Sequence, residues 1–220
     1  MNLDSAGAAS LLCAGVTTYT ALKRSNTKVG DWIAIPGAGG GLGHLAVQYA
    51  TAMGLNVIAI DTGDAKEKMV KGLGAKAWID FKKSGKNLVA DIQKASPGGL
   101  GPHAALVVAA HESAYTQAIE YLRPSGTLVC NGMPDAPLQA NIFYTVFKSI
   151  RIQGSYVGNR QDATEALDLA ATGKVKVVFE GKKIGDLKGY VPSFRETSCL
   201  GLADRSANVA FTKIWNTARS

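Results

Sequence analysis

The amino-acid sequence predicts an α/β domain built around a doubly wound, parallel sheet of six strands. Three observations indicate this fold class: a glycine-rich turn joins an apolar run to a helix, an acid closes the next apolar run, and strand-like and helix-like segments alternate over residues 29–158. Parallel strands covered by helices on both faces have continuous apolar sequences of this kind. The composition, with 46% hydrophobic and 19% charged residues, is typical of a globular domain.

The first strand–turn–helix–strand unit spans residues 32–61. Its first apolar run, residues 32–36, predicts a buried strand, and glycines follow at positions 37, 39, 40, 41 and 43. Apolar residues then recur at intervals of three and four up to Ala50, as in a helix that packs on a sheet. A break at residues 53–56 precedes the second apolar run, which ends at Asp61.

The later elements continue the alternation. Helices are expected to end at two segments that contain proline and glycine, residues 96–99 and 123–126. The elements predicted after Asp61 are helix 65–72, strand 77–79, helix 87–95, strand 104–110, helix 113–122, strand 127–131, helix 142–148, strand 150–156 and helix 163–171. With the two strands of the first unit, they make six strands.

The glycine turn and the acid together predict a dinucleotide-binding unit. The glycines fit the spacing Gly37-x-x-Gly40-x-x-Gly43 rather than the strict G-x-G-x-x-G pattern. Such glycines allow positive φ angles and a close approach of backbone N–H groups to a pyrophosphate at the start of the next helix. Asp61 follows Gly43 by eighteen residues. At this position a carboxylate can accept hydrogen bonds from the ribose hydroxyls and repel the extra phosphate of NADP. The alternative is a turn that uses glycine for steric reasons without binding a ligand.

Composition excludes several other classes. The net charge of +7 includes +4 from residues 181–220, but the basic residues form no run, so a nucleic-acid surface is not expected. No apolar run is long enough for a membrane span, and no signal peptide is evident, so a cytoplasmic location is expected. The three cysteines, at positions 13, 130 and 199, form no C-x-x-C pair and are expected to be reduced.

Several segments are specific enough to indicate a family. They are residues 12–19, 21–23, 40–43, 45–50, 60–61, 73–75, 79–81, 132–134, 148–150 and 154–160. With these segments the chain resembles the cofactor domain of the zinc-containing, medium-chain alcohol dehydrogenases, most closely the microbial tetrameric branch. The resemblance covers residues 8 to about 179. It implies a Rossmann sheet with remnants of a second domain at both ends.

The resemblance implies NAD as the coenzyme and a primary alcohol or aldehyde as the substrate. In that family a hydride passes between the alcohol carbon and the nicotinamide, while zinc holds the alcohol oxygen. The coenzyme contacts it implies are Gly37, Gly40, Gly41, Leu42 and Gly43 at the pyrophosphate, Asp61 and Lys66 at the adenosine ribose, and Gly132, Met133, Ser155, Tyr156 and Val157 along the nicotinamide half.

The zinc site is expected to be incomplete. Cys13 alone would read as a small buried residue of a helix, but the resemblance implies that it is one of three protein ligands of the catalytic zinc. The two other family ligands belong to an N-terminal catalytic domain that precedes the region of resemblance. None of His44, His103 and His111 matches a family ligand. We therefore expect no retained zinc and no complete catalytic site. The alternative to a dehydrogenase is an NAD(H)-binding module or fragment without dehydrogenase activity.

The expected domain organisation has four parts. They are a linker helix in residues 1–25, the NAD-binding domain in residues 26–160, a return helix and strand in residues 161–180, and a divergent tail in residues 181–220. The resemblance further implies a homo-oligomer in which cofactor domains pair through the sixth strand, from Ile150 to Tyr156. No nucleic-acid or membrane partner is expected.

Overall fold

The computed structural model describes residues 5–178. Its six strands are β1 (Trp32–Pro36), β2 (Asn56–Asp61), β3 (Ala77–Asp80), β4 (Ala104–Val107), β5 (Thr127–Cys130) and β6 (Arg151–Gly154). All pair in parallel, in the order β3-β2-β1-β4-β5-β6. The predicted α/β fold with a doubly wound, six-stranded parallel sheet is therefore confirmed.

Helices connect the strands and cover both faces of the sheet. The helices are α1 (Ser5–Ser10), α2 (Val16–Arg24), α3 (Gly41–Ala52), α4 (Asp64–Gly72), α5 (Phe81–Ser84), α6 (Leu88–Lys94), α7 (Glu112–Tyr121), α8 (Ile142–Phe147) and α9 (Arg160–Ala171), with a π-helix over Leu11–Gly15 and 3-10 turns over Gly85–Asn87 and Pro97–Gly99. No helix within residues 5–178 is long and apolar enough to cross a membrane.

Alternating side chains of the strands divide the core into two apolar clusters. On β1, Ile33 and Ile35 belong to the cluster that includes residues of α2, α3 and α9, whereas Ala34 belongs to the cluster that includes residues of α6 and α7. Successive side chains of a strand point to opposite faces, so each strand contributes to both clusters. This double burial explains why the strands read as uninterrupted apolar runs.

The order of the strands places a crevice at the carboxyl ends of the central strands of the sheet. The chain proceeds from β1 to β2 and β3 on one side and then returns to β4 on the other side of β1. At the carboxyl ends of β1 and β4 the connecting segments diverge to opposite faces. Ligands of open α/β sheets bind at this reversal point.

Several predicted boundaries need correction. The strand predicted over residues 104–110 ends at Val107, because the N–H groups of Val108 and Ala109 both donate to the carbonyl of Pro36, at 3.2 and 3.1 Å. The strand predicted over residues 150–156 is limited to Arg151–Gly154. The last helix begins at Arg160 rather than at residue 163, because Asn159 and Asp162 form a capping box.

The expected return strand is also absent from the described part. Residues 174–178 form no strand, although Gln48 of α3 holds the backbone of Lys176 by two hydrogen bonds of 2.9 and 2.8 Å. The end of the segment expected over residues 161–180 and the divergent tail over residues 181–220 lie outside the described residues.

Candidate functional site

A cleft of about 490 Å³ opens at the crevice between the carboxyl ends of β1, β2 and β4. It is lined by Pro36, Gly37, Gly40, Gly41, Leu42 and Gly43, by Ile60, Asp61, Thr62 and Lys66, by Phe81, Lys82, Gly85, Leu88 and Ile92, and by Val108, Ala109, Ala110, His111, Ser113, Ala114, Gln117 and Tyr121. The cleft thus brings together the glycine loop, the acid of β2 and the start of α7.

A more open groove of about 640 Å³ lies beside β3, at the edge of the sheet. Its lining includes Glu67, Asp80, Lys83 and Asp91, so it carries charges of both signs. It contains no residue of the glycine loop. The groove lies away from the reversal of strand order, so the cleft is the better candidate for the site.

The glycines of the loop differ in what they contribute. Gly37 has a φ of +86°, and a Cβ at Gly43 would lie 2.0 Å from the carbonyl oxygen of Gly37. Gly40 has extended backbone, with φ −89° and ψ −177°, and a Cβ there would lie 3.3 Å from the same oxygen. A positive φ is therefore confirmed at Gly37 but is wrong as an explanation of Gly40. Close packing explains Gly43.

The loop delivers the start of α3 to the cleft. Gly40 is the N-cap residue of this twelve-residue helix and offers no side-chain cap. The first N–H groups of a helix have no acceptor within the helix and attract anions. Gly41, Leu42 and Gly43 all line the cleft at this point. The arrangement can hold a phosphate group.

Asp61 joins the end of β2 to the glycine loop. Its side chain is buried, and its Oδ2 accepts a hydrogen bond from the Gly39 N–H at 2.9 Å. Its Oδ1 accepts from the Thr62 N–H at 2.8 Å and pairs with Lys66 Nζ at 2.9 Å. The structure therefore places Asp61, Lys66 and the loop in one cleft, and their contacts with a coenzyme stay a prediction.

The residues predicted for the nicotinamide half lie after β5 and β6 and do not line the cleft. Gly132 packs closely on the cleft wall, since a Cβ there would lie 2.4 Å from the Ala109 carbonyl oxygen. Ser155 is buried and its hydroxyl accepts from Arg24 Nη1 at 3.0 Å.

The neighbouring Met133 and Tyr156 are exposed, and Val157 has a φ of +43°. The five residues predicted for the nicotinamide half thus lie at the same carboxyl edge of the sheet as the cleft, but they do not form a continuous wall with it.

Cys13 lies on the π-helix between α1 and α2 and is half-buried. Burial raises the pKa of its thiol. Within residues 5–178, no group of three or more His, Cys, Asp or Glu side chains is placed to hold a metal ion. A catalytic zinc needs three protein ligands. The described residues therefore do not fit a catalytic zinc site.

Two of the three histidines have structural roles. His44 Nδ1 lies 3.1 Å from the Gly40 carbonyl oxygen, and its Nε2 accepts from the Val178 N–H at 3.2 Å. Burial lowers the pKa of the His44 imidazole. His103 Nδ1 accepts from the Trp32 N–H at 2.9 Å.

His111 lines the cleft, a position that the sequence analysis missed. Its Nδ1 lies 2.9 Å from the Ser113 hydroxyl. Its place directly after the fourth strand was the available signal, because loops at the carboxyl ends of parallel strands form the site.

Comparisons with known proteins decide the family. The family model described as zinc-binding dehydrogenase matches residues 41–172, more than half of the chain. The chain belongs to the zinc-binding dehydrogenase family. The resemblance found in the sequence is confirmed at this level, and the matched residues include α3 and the part of the cleft wall that follows Gly40.

Relatives within this zinc-binding dehydrogenase family carry alcohol dehydrogenase names. Alcohol dehydrogenase 1 of Neurospora crassa is 48% identical over 194 residues, which are 88% of this chain and 55% of the relative. The crystal structure of the alcohol dehydrogenase from Aeropyrum pernix matches with a TM-score of 0.77 and 28% identity over 87% of this chain and 55% of that one.

One further solved structure shares the fold. Acetophenone reductase from Geotrichum candidum, solved in complex with NAD, matches with a TM-score of 0.72 at 24% identity, over 86% of this chain and 52% of that one. The chain spans about half of the length of the relatives that it matches.

Proposed function

We propose that this chain binds NAD(H) in the cleft and forms the coenzyme-binding half of an alcohol dehydrogenase. The observation that carries the proposal is the buried carboxylate of Asp61, which is hydrogen-bonded to the loop N–H of Gly39 at the reversal of strand order. An acid at the end of the second strand beside a glycine turn is the arrangement that binds the adenosine ribose and pyrophosphate of a dinucleotide.

The cleft offers a matching group for each part of the adenosine half. The pyrophosphate would lie at the N–H groups of Gly41 and Leu42, where the helix dipole favours negative charge. The ribose hydroxyls would donate to Asp61. Lys66 Nζ, now paired with Asp61, has three protons and can also donate to a ribose oxygen. The apolar side chains of Leu88 and Ile92 line the remaining space and suit the base.

The same geometry favours NAD over NADP. The 2′-phosphate of NADP would bring at least one further negative charge toward the carboxylate of Asp61, in a cleft where that carboxylate is shielded from water. The positive charge of Lys66 offsets only part of this repulsion, because its Nζ already forms an ion pair with Asp61 at 2.9 Å. NAD is therefore the proposed coenzyme.

The proposed reaction is the oxidation of an alcohol, as the names of the relatives suggest. Bound NAD supplies the acceptor for the hydride. The roles proposed for this chain are to hold the adenosine half as above and to place Gly132, Met133, Ser155, Tyr156 and Val157 along the nicotinamide half. The proposed domain bounds are those of the sequence analysis, with the coenzyme domain over residues 26–160.

A second candidate is an NAD(H)-binding module without dehydrogenase activity. It is favoured by the lack of any three-ligand metal group within residues 5–178. Titration with NADH by fluorescence and an assay of ethanol-dependent NAD reduction, on one sample, separate the candidates. Binding with turnover supports a complete dehydrogenase, and binding without turnover supports the module. No binding would refute both.

We also propose that two copies associate through β6. All four residues of this edge strand are exposed, and Ile152 is 40% exposed although it is apolar. The adjacent α8 exposes Phe143 and Phe147 by 67% and 74%. An unpaired strand edge beside an apolar surface favours pairing with a second copy. Ile152→Lys should shift the chain toward monomer in sedimentation, whereas Val29→Lys, at an exposed position before β1, should not.

A further inference from the structure

A second buried acid, Asp80, ends β3 beside Asp61. The two residues are register partners in the parallel pairing of β2 and β3, and each is 7% exposed. The carboxylate of Asp80 accepts four hydrogen bonds. Its Oδ1 accepts from the N–H groups of Lys82 and Lys83 at 3.0 and 3.1 Å, and its Oδ2 accepts from the Gly63 N–H at 3.2 Å and the Thr62 hydroxyl at 3.3 Å.

These four bonds connect two segments of the cleft wall. The Oδ1 pair caps α5, and the Oδ2 pair holds the turn between β2 and α4. In that turn Gly63 has a φ of +102°, a conformation that favours glycine. Thr62 and Lys82 line the cleft, whereas Asp80 lines the groove on the other side. Asp80 therefore lies behind the wall that a bound coenzyme would touch.

The two acids hold the same residue. Thr62 donates its N–H to Asp61 at 2.8 Å and its hydroxyl to Asp80 at 3.3 Å. A change in the Asp80 contact would therefore move Thr62 and, through it, the carboxylate of Asp61. Site geometry of this kind depends on the residues that orient the contacting groups.

Asp80 also adds a negative charge behind the cleft wall. Burial raises the pKa of its carboxyl, but the hydrogen bonds from Lys83, Gly63, Thr62 and Lys82 outweigh this effect and the pKa is lowered. Asp61 has Lys66 as an ion-pair partner, whereas Asp80 forms no ion pair with any lysine, arginine or histidine in the described range 5–178.

We propose that Asp80 is a positioning residue for coenzyme selectivity. It fixes the Thr62–Gly63 turn by hydrogen bonds, so that Asp61 is oriented toward the ribose hydroxyls and Thr62 is held close to the position of a 2′-phosphate. The inference rests on the proposed NAD(H) site. The new element is that part of the discrimination between NAD and NADP comes from a residue that the coenzyme does not contact.

The test compares the affinities of the 220-residue chain for NADH and NADPH. Asp80→Asn keeps the size of the side chain, but its amide NH₂ group would face two hydrogen-bond donors that now bind a carboxylate oxygen. Thr62→Val removes the hydroxyl contact and leaves Asp80 unchanged. Asp64→Asn is the matched control, because it removes one charge three residues from Asp61 on a side chain that is 89% exposed. Circular dichroism checks the fold of each variant.

The expected effect is a change in the ratio of the two dissociation constants. Asp80→Asn weakens several hydrogen bonds to a charged group and should narrow the preference for NADH about tenfold. Thr62→Val removes one such hydrogen bond and should narrow it about threefold. Asp64→Asn should change the ratio less than about twofold, since exposed charges are screened.

The outcomes separate this inference from the proposed function. An unchanged ratio in folded Asp80→Asn would overturn the role of Asp80. An equal effect of Asp64→Asn would also overturn it, because the effect would then come from the loss of a negative charge and not from the positioning of Thr62. If Asp80→Asn does not fold, an unchanged ratio in Thr62→Val overturns it instead. Failure of the unaltered chain to bind NADH would overturn the proposed function, and this inference with it.

Discussion

The carboxylate of Asp61 accepts a hydrogen bond from the backbone N–H of Gly39 at 2.9 Å. This bond connects the end of β2 to the loop that follows β1. It therefore joins the part of the cleft proposed for the ribose to the part proposed for the pyrophosphate. Lys66 reinforces the junction from α4, with its Nζ 2.9 Å from the other oxygen of Asp61. Preorganisation of this kind reduces the cost of ordering the site when a ligand binds.

The first prediction concerns Asp61→Ala. It should weaken NADH binding by about 1.5–3 kcal/mol, the usual effect of losing hydrogen bonds to a charged group, and should affect NADPH less. Fluorescence titration with both coenzymes measures the two dissociation constants. Asp168→Ala, on the exposed side of α9, is the control and should leave both unchanged. An unchanged preference for NADH in Asp61→Ala would show that this acid does not contact the ribose.

The second prediction separates two glycines of the loop. Gly40→Val should retain the fold, because Gly40 has extended backbone, but should abolish NADH binding by filling the space of the pyrophosphate. Gly43→Ala should destabilise the fold, since its Cβ would lie 2.0 Å from the Gly37 carbonyl oxygen. Thermal unfolding and NADH titration distinguish the two effects. Unchanged NADH affinity in Gly40→Val would mean that the loop is a turn and not a phosphate site.

Much of the architecture was predictable because strand burial and glycine turns leave strong patterns in the sequence. The six strands and the position of Asp61 at the end of β2 follow from such patterns, whereas Lys66 was expected only from the family resemblance. The hydrogen bonds of Asp80 do not, because they depend on β3 lying beside β2. The early end of β4 depends likewise on the carbonyl of Pro36, a contact between segments that are distant in the sequence.

The third prediction concerns the pH dependence of stability. Burial lowers the pKa of His44 from its ordinary value of 6.5, although hydrogen bonds to Gly40 and Gly41 act in the opposite direction. The unfolded chain then binds the proton more readily than the folded one, so stability falls as the pH drops below about 6.5 toward the lower pKa of the folded state.

Chemical unfolding across this pH range measures the slope. His44→Gln, which can accept the Val178 hydrogen bond without titrating, should flatten it. The same slope in His44→Gln as in the unaltered chain would exclude His44 as its source.

The fourth prediction concerns zinc. After metal loading, the 220-residue chain should retain no stoichiometric zinc and should oxidise no ethanol above background. The reason is that Cys13 belongs to no group of three metal-ligating side chains within residues 5–178. Elemental analysis of the unaltered chain and of Cys13→Ser measures this. One zinc per chain that is lost in Cys13→Ser would contradict the prediction and would place the other ligands in residues outside that range or in a second copy.

A calorimetric titration of the unaltered chain with NADH and then with NADPH, in the same buffer and salt, determines directly whether the cleft binds NAD(H) through Asp61. We expect one saturable NADH site per chain and at least about tenfold weaker binding of NADPH, the size expected when a buried carboxylate accepts hydrogen bonds from the ribose hydroxyls. Absence of NADH binding would contradict the assignment of the cleft. Equal affinity for the two coenzymes would contradict the role of Asp61.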